Sequence, residues 1–248
     1  QTLAGAERYI TPELQELENS ILSAKTKRLE LEAQLFAALK LRIISELGSL
    51  LSLAKYWSEL DVVTSLSWLA LENNYVRPEF NADKMLEIKN GRHPVVESEI
   101  GKNYVPNDVS MNFGDCLLLT GPNMAGKSTL MRQVAVTVIL AQMGSYVPAT
   151  QMSLPLFHRF FTRIGASDSL SQGLSTFMVE MSETAEMLEN ADGNSLVILD
   201  EIGRGTSTYD GLSLAQSILE FLLESSGSLI FFATHYHELT QLSQLNPN

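Results

Sequence analysis

Residues 121–129 read Gly-Pro-Asn-Met-Ala-Gly-Lys-Ser-Thr and follow the apolar run Leu117–Thr120. A strand that ends in Gly-x-x-x-x-Gly-Lys-Ser and hands over to a helix admits few architectures. The loop serves only when its backbone N–H groups converge on one anion, which needs a strand edge behind it and a helix N-terminus in front. Gly121 and Gly126 remove the Cβ atoms that would stand between backbone and phosphate. Lys127 adds a point charge at the outer phosphates, and the Ser128 hydroxyl suits a Mg²⁺ ligand. The pattern therefore predicts an α/β nucleotide site before any other residue is considered.

The rest of the chain bounds that site. With 248 residues and 45% hydrophobic content there is material for one large domain or two modest ones. Beginning at Gln1 inside helical sequence, the chain reads as a piece of a longer protein. It has no apolar run near the roughly 18 residues of a membrane span and no basic-then-apolar leader, so no membrane partner is expected. The single cysteine, Cys116, opens an apolar strand, which suits a small buried hydrophobe and a reducing cytosol. A net charge of −12 argues against wrapping DNA by bulk electrostatics. The most basic cluster, Lys25-Thr26-Lys27-Arg28, is followed by Glu30 and Glu32 and reads as a solvated helix face.

Two textures divide the chain. Residues 1–75 carry almost no strand signal. Leu14, Leu17, Ile21, Ala24, Leu31, Leu35 and Ala38 recur in steps that predict one face of a long helix in coiled-coil-like packing, with Pro12 in its first turn. A second helix is expected from about Ser58 to Glu72. From 76 to 248 the chain turns to α/β. Short β-like runs between turn signals are expected over Tyr75–Val96. Then the apolar runs Leu117–Thr120, Leu196–Leu199 and Leu229–Ala233 read as strands of a mainly parallel sheet buried on both faces. Helical stripes lie between them: Leu130, Val134, Val138 and Ala141; Met178, Met181, Ala185 and Leu188; Leu212, Ala215, Leu219 and Leu222. Met178 and Met181 are read as core.

Strand Leu196–Leu199 ends in Asp200-Glu201. At the carboxyl edge of a sheet carrying a phosphate loop, Asp200 suits the Mg²⁺ shell, and Glu201 suits a base that takes a proton from the attacking water. Leu229–Ala233 ends in Thr234-His235, which emerges on the same rim, where His235 can donate to a γ-phosphate. His158 and His237 are read as structural. Ser175 precedes a helix and suits an N-cap or an anion contact, and Asp210 suits the N-cap of the helix after the 203–211 loop.

These residues together resemble the MutS family of DNA mismatch repair ATPases. The resemblance rests on the loop at 121–129, Ser-Thr-Phe-Met-Val-Glu-Met at 175–181, Asp-Glu-Ile-Gly-Arg-Gly-Thr-Ser-Thr-Tyr-Asp-Gly at 200–211 and Ala-Thr-His-Tyr at 233–236. Arg92-His93-Pro94-Val95-Val96-Glu97 is similar to the segment that opens the family's ATPase domain, and Ala6–Ile10 with the helix after it is similar to its lever. The resemblance implies a P-loop ATPase of the ABC type at 76–248, preceded by a long-helix lever over 1–75. Two subunits would complete each other's ATP sites, with Ser175 reaching across to the partner's nucleotide. Lys127, Ser128, Asp200, Glu201 and His235 would act within their own subunit. Pro122, Asn123, Met124, Ala125 and Thr129 would complete the nucleotide loop, and Tyr104 falls near the position of the family's adenine-stacking aromatic. Gln172-Gly173-Leu174 departs from the family's usual signature loop. The implied partners are mismatched double-stranded DNA, gripped by segments outside this sequence, a second copy in a homodimer, and a MutL-type protein. The implied location is the bacterial cytosol or nucleoid. The family's mismatch-reading domain and its carboxy-terminal dimerisation element are expected to be missing here. A second reading is a nucleotide-gated dimerisation or docking module with negligible turnover.

Overall fold

A computed structural model describes residues 11–122, 125–164, 176–203 and 205–242. The chain divides into two compact units, Gln1–Val63 and Thr64–Asn248.

The first unit is helical. Helix α1 (Pro12–Ser45) starts where Thr11 takes extended dihedrals and its Oγ1 accepts the Leu14 N–H at 3.2 Å, with Pro12 and Glu13 in the first turn. It ends at Glu46, and α2 (Leu47–Glu72) follows at once. The sequence reading started the second helix at Ser58; the leucine-rich stretch before it is helical as well. No residue of α1 is buried. The residues of the expected stripe are exposed, and Leu22, Leu29, Phe36 and Ile43, likewise exposed, form a second apolar row beside it. The basic cluster is solvated as expected, and Arg28 pairs with Glu32 across one exposed turn.

The second unit holds two four-stranded sheets. One is mixed, in the order β1 (Glu79–Phe80), β5 (Gln151–Leu154), β2 (Met85–Gly91), β3 (Asn107–Asn112). Strand β2 runs antiparallel to both β3 and β5, and β1 is parallel to β5. The other sheet is wholly parallel, in the order β4 (Cys116–Thr120), β8 (Leu229–Thr234), β7 (Ser195–Asp200), β6 (Arg159–Arg163). The mainly parallel expectation therefore holds for the sheet that carries the motifs, and the second sheet is an addition to it. Pro94–Ile100, expected within a β-like region, forms a short helix, α3. Pro94 fits its first turn, and the His93 ring accepts the Val96 N–H.

The central strands of the parallel sheet, β7 and β8, are buried on both faces and alternate between two cores, while the edge strand β4 is half-buried. Leu196, Ile198, Leu229 and Phe231 pack with Met131, Val134 and Val138 of α4 (Lys127–Gln142) and with Leu86, Ile88 and Met152 of the mixed sheet. Val197, Leu199, Ile230 and Phe232 face the other way, against Ala215, Leu219 and Leu222 of α6 (Thr208–Ser225). Each such side chain contributes about 1.5–3 kcal/mol on burial. Continuous apolar strands are what a sheet covered on both sides requires.

Two helix assignments need correction. On α5 (Thr176–Asn190) the buried positions are Glu180, Thr184 and Met187, whereas Met178 is 59% exposed and Ala185 is exposed as well. The buried stripe is one that hydrophobicity alone does not select, because two of its members are polar. Helix α6 is capped by Ser207, whose Oγ accepts the Asp210 N–H and donates to the Asp210 carboxylate. Asp210 is the third residue of the helix and the partner of that cap, not the cap itself.

Candidate functional site

The register of the parallel sheet sets the site. Thr120 lies beside Thr234, and Asp200 lies beside Ala233, so all three strands end at one edge. Gly121, His235 and Glu201 are the next residues on each. Strand β8 stands between the other two, which separates the phosphate loop from the carboxylates by about 10 Å at ordinary strand spacing.

On the β4 side the backbone turns through Gly121 (φ 139°) and Gly126 (φ 91°), both in the region that favours glycine. Gly126 occupies the cap position of α4 and offers no side chain to its first N–H groups. Lys127, Ser128 and Thr129 form the first turn and are all half-buried. The Lys127 ammonium folds back to donate to the carbonyls of Gly121 at 2.6 Å and Pro122 at 3.0 Å. Pro122 and Ala125 are exposed at the loop's rim. Asn123 and Met124 lie outside the described residues.

On the β7 side Asp200 has a buried Oδ1 with no hydrogen-bond partner among the described residues. A buried carboxylate oxygen without a donor is unfavourable unless a cation completes it. Its neighbour Glu201 has φ 60°, the left-handed region, although it is not glycine. Such a conformation costs roughly 1–3 kcal/mol and persists only where surroundings impose it. The Glu201 N–H donates to the Ala233 carbonyl at 2.8 Å, which locks the turn against the neighbouring strand. On β8, His235 is exposed, and its ring lies 4.1 Å from that of Tyr236, centroid to centroid.

Tyr104 is bonded to α4. Its hydroxyl donates to Gln133 Oε1 at 2.7 Å, and Gln133 is fully buried in the helix that begins with Lys127. Gln133 lies under Gly91, where a Cβ would stand 2.4 Å from its Nε2. Burial raises the Tyr104 phenol above its ordinary 10.0. The structure thus joins Tyr104 to the loop-bearing helix through one buried amide, a link that sequence reading missed because Gln133 lies inside an apolar stripe. Of the other candidates, Ser175 lies outside the described residues, as do Gln172, Gly173 and Leu174. His158 and His237 are exposed; His158 precedes β6, at the opposite end of the sheet, and His237 opens the short helical turn that follows Tyr236.

Residues 117–248 match the family model described as MutS domain V. The chain is 54% identical over 245 residues to the DNA mismatch repair protein MutS of Alkaliphilus metalliredigens, covering 98% of this chain and 28% of that protein. The corresponding protein of Geobacillus kaustophilus is 53% identical over 249 residues, covering all of this chain and 28% of its own length. This chain belongs to the MutS family. The MutS protein of Clostridioides difficile, at 52% identity, is covered over 26% of its length, so the chain spans little more than a quarter of these MutS relatives. The MutS match includes strands β4, β7 and β8 and hence the whole rim described above. Among the described residues no helix is long and apolar enough to cross a membrane.

Proposed function

We propose that this chain is the ATPase part of a DNA mismatch repair protein, with a P-loop site of the ABC type that binds and hydrolyses Mg-ATP. The observation that carries the reading is the orphaned, buried Asp200 Oδ1 on the same sheet edge as the loop closed by Lys127. In this reading the backbone of 121–126, with Asn123 and Thr129, cradles the phosphates, and Lys127 exchanges its loop carbonyls for phosphate oxygens. Tyr104 lies against the base. Ser128 and Asp200 would hold a Mg²⁺ ion, which would supply charge neutralisation at the phosphates. Glu201 accepts the proton of the water that attacks the γ-phosphorus, and its left-handed backbone aims the carboxylate off the strand end. His235, exposed on the middle strand, donates to the γ-phosphate. Ser175 of a second copy completes the site in a homodimer.

The full-length parent then couples the nucleotide state of this domain to its grip on mismatched double-stranded DNA, and presents that state to a MutL-type partner in the bacterial cytosol. The DNA-binding surface is assigned to other segments, since this chain carries a net charge of −12.

The test is ATP turnover in Mg²⁺ as a function of protein concentration, with Glu201→Gln alongside. Specific activity that rises with concentration and falls at least ~100-fold in Glu201→Gln supports a shared-site ATPase. Nucleotide binding with flat, negligible turnover supports the docking-module reading instead. Undiminished hydrolysis in Glu201→Gln removes Glu201 from the chemistry.

A further inference from the structure

The turn that follows the carboxylates is held from two sides at a single residue, Gly203. Its N–H donates to Glu180 Oε1 of α5 at 2.7 Å, and its carbonyl accepts from the Tyr236 hydroxyl at 3.4 Å. Both partners are enclosed, Glu180 at 7% and Tyr236 at 4% exposure. Between Glu201 and Gly203 stands Ile202, fully buried in the core beneath α6. Gly203 has φ 85° and packs so closely on Gly211 that a Cβ on Gly203 would stand 2.9 Å from the Gly211 backbone. A Cβ on Gly211 would in turn stand 2.2 Å from the Tyr236 hydroxyl.

A buried carboxylate set against a neutral backbone N–H is an unfavourable device for mere cohesion. A packed apolar residue would serve the fold better. The arrangement has a sense in relation to Glu201, whose left-handed backbone persists only if the residues after it are pinned. The pins come from different parts of the rim. Glu180 belongs to α5, which begins directly after Ser175, and Tyr236 directly follows His235, its amide bonded to Thr234 Oγ1 at 3.0 Å. Phe177, also on α5, closes against Gly205, where a Cβ would meet the Phe177 Cβ at 3.0 Å and its ring carbons at 3.2 and 3.4 Å.

We propose that Glu180 and Tyr236 are positioning residues for the hydrolytic step: they clasp Gly203 and thereby fix the backbone that aims Glu201. Neither touches the nucleotide. The proposal rests on the reading of Glu201 as the base. It makes α5 and the β8 terminus joint supports of that base, so displacement of either one misdirects the carboxylate.

The experiment uses the full-length parent protein. ATP affinity, KM and kcat are measured for Glu180→Ala, Glu180→Gln, Tyr236→Phe and Glu201→Gln, and for Glu180→Ala combined with Glu201→Gln. Glu180→Ala is expected to lower kcat by roughly 10–100-fold, as expected when an interaction acts only in the transition state, with nucleotide affinity held within about twofold. Glu180→Gln keeps an acceptor oxygen for the Gly203 N–H and restores most of the rate. Tyr236→Phe, which keeps the ring and loses only the hydroxyl, lowers kcat about 3–10-fold with the same unchanged affinity and supplies the answer should Glu180→Ala fail to fold. In the Glu201→Gln background, Glu180→Ala removes less than about twofold more, because both changes act through one group. Undisturbed kcat in Glu180→Ala or Tyr236→Phe overturns the clasp while leaving the base in place. So does a full additional loss in the double variant, or a Glu180→Gln variant no better than Glu180→Ala. Wild-type turnover in Glu201→Gln overturns the base and the clasp together.

Discussion

At Asp200 a single atom carries a cost in stability. Its buried Oδ1 has no donor among the described residues, a cost that a cation held there, as the proposed function has it, would relieve. Asp200→Asn should raise the melting temperature in the absence of nucleotide, by the equivalent of about 1 kcal/mol, and should abolish the further stabilisation given by Mg-ATP. Thermal melts with and without Mg-ATP check both signs. Lys127→Ala removes the one ammonium bonded to the loop carbonyls of Gly121 and Pro122 and should weaken nucleotide binding by roughly 10–100-fold, measurable by titration. Gly211 is constrained from the opposite direction. An added methyl would overlap both the Tyr236 hydroxyl and the Gly203 carbonyl, at 2.2 and 2.6 Å. Gly211→Ala should therefore lower stability by about 1–3 kcal/mol, the usual cost of overpacking, as read from denaturant melts.

At the scale of elements, legibility in the sequence followed the source of each element's stability. Strands β7 and β8 were readable because burial on both faces demands continuous apolar residues, half-buried β4 because its apolar residues pack against both cores, and α4 and α6 because their buried stripes are apolar. Helix α5 was misread for the complementary reason. Its inward face is Glu180, Thr184 and Met187, and the two polar members satisfy backbone groups rather than fill space: Glu180 takes the Gly203 N–H, and Thr184 donates to the Glu180 carbonyl. No periodicity of hydrophobic residues reports such partners. Helix α3 was missed because Pro94 reads as a breaker unless its place in a first turn is recognised. The phosphate loop and the carboxylate pair were legible as motifs, whereas the Gln133 link to Tyr104 and the Gly203 clasp depend on residues far apart in sequence. The cap of α3 carries its own test. Burial, together with the nearby Arg132 charge, lowers the His93 imidazole below its ordinary 6.5. The unfolded chain then binds the proton more readily than the folded one, so stability is complete above about pH 6.5 and declines as pH falls toward the depressed folded value. Melts across this window should slope more steeply for the native chain than for His93→Asn, which keeps a capping side chain without the titration.

The whole molecule joins an enclosed α/β unit to helices whose apolar residues are exposed, and it carries its charge as excess carboxylate. At −12 this chain should show no salt-sensitive retention on duplex DNA, in contrast to proteins that neutralise several phosphates. Electrophoretic mobility shifts at low ionic strength check that, and a shift that fades with added salt would locate a DNA grip here. Cys116 gives the same molecule a gauge of its own. It is the sole sulfhydryl in 248 residues and sits half-buried in the edge strand β4, where desolvation pushes it up to about 12 and disfavours its reactive thiolate. Because that strand feeds directly into the loop at 121–126, a nucleotide that seats there should slow alkylation of Cys116 by holding the strand's end in place.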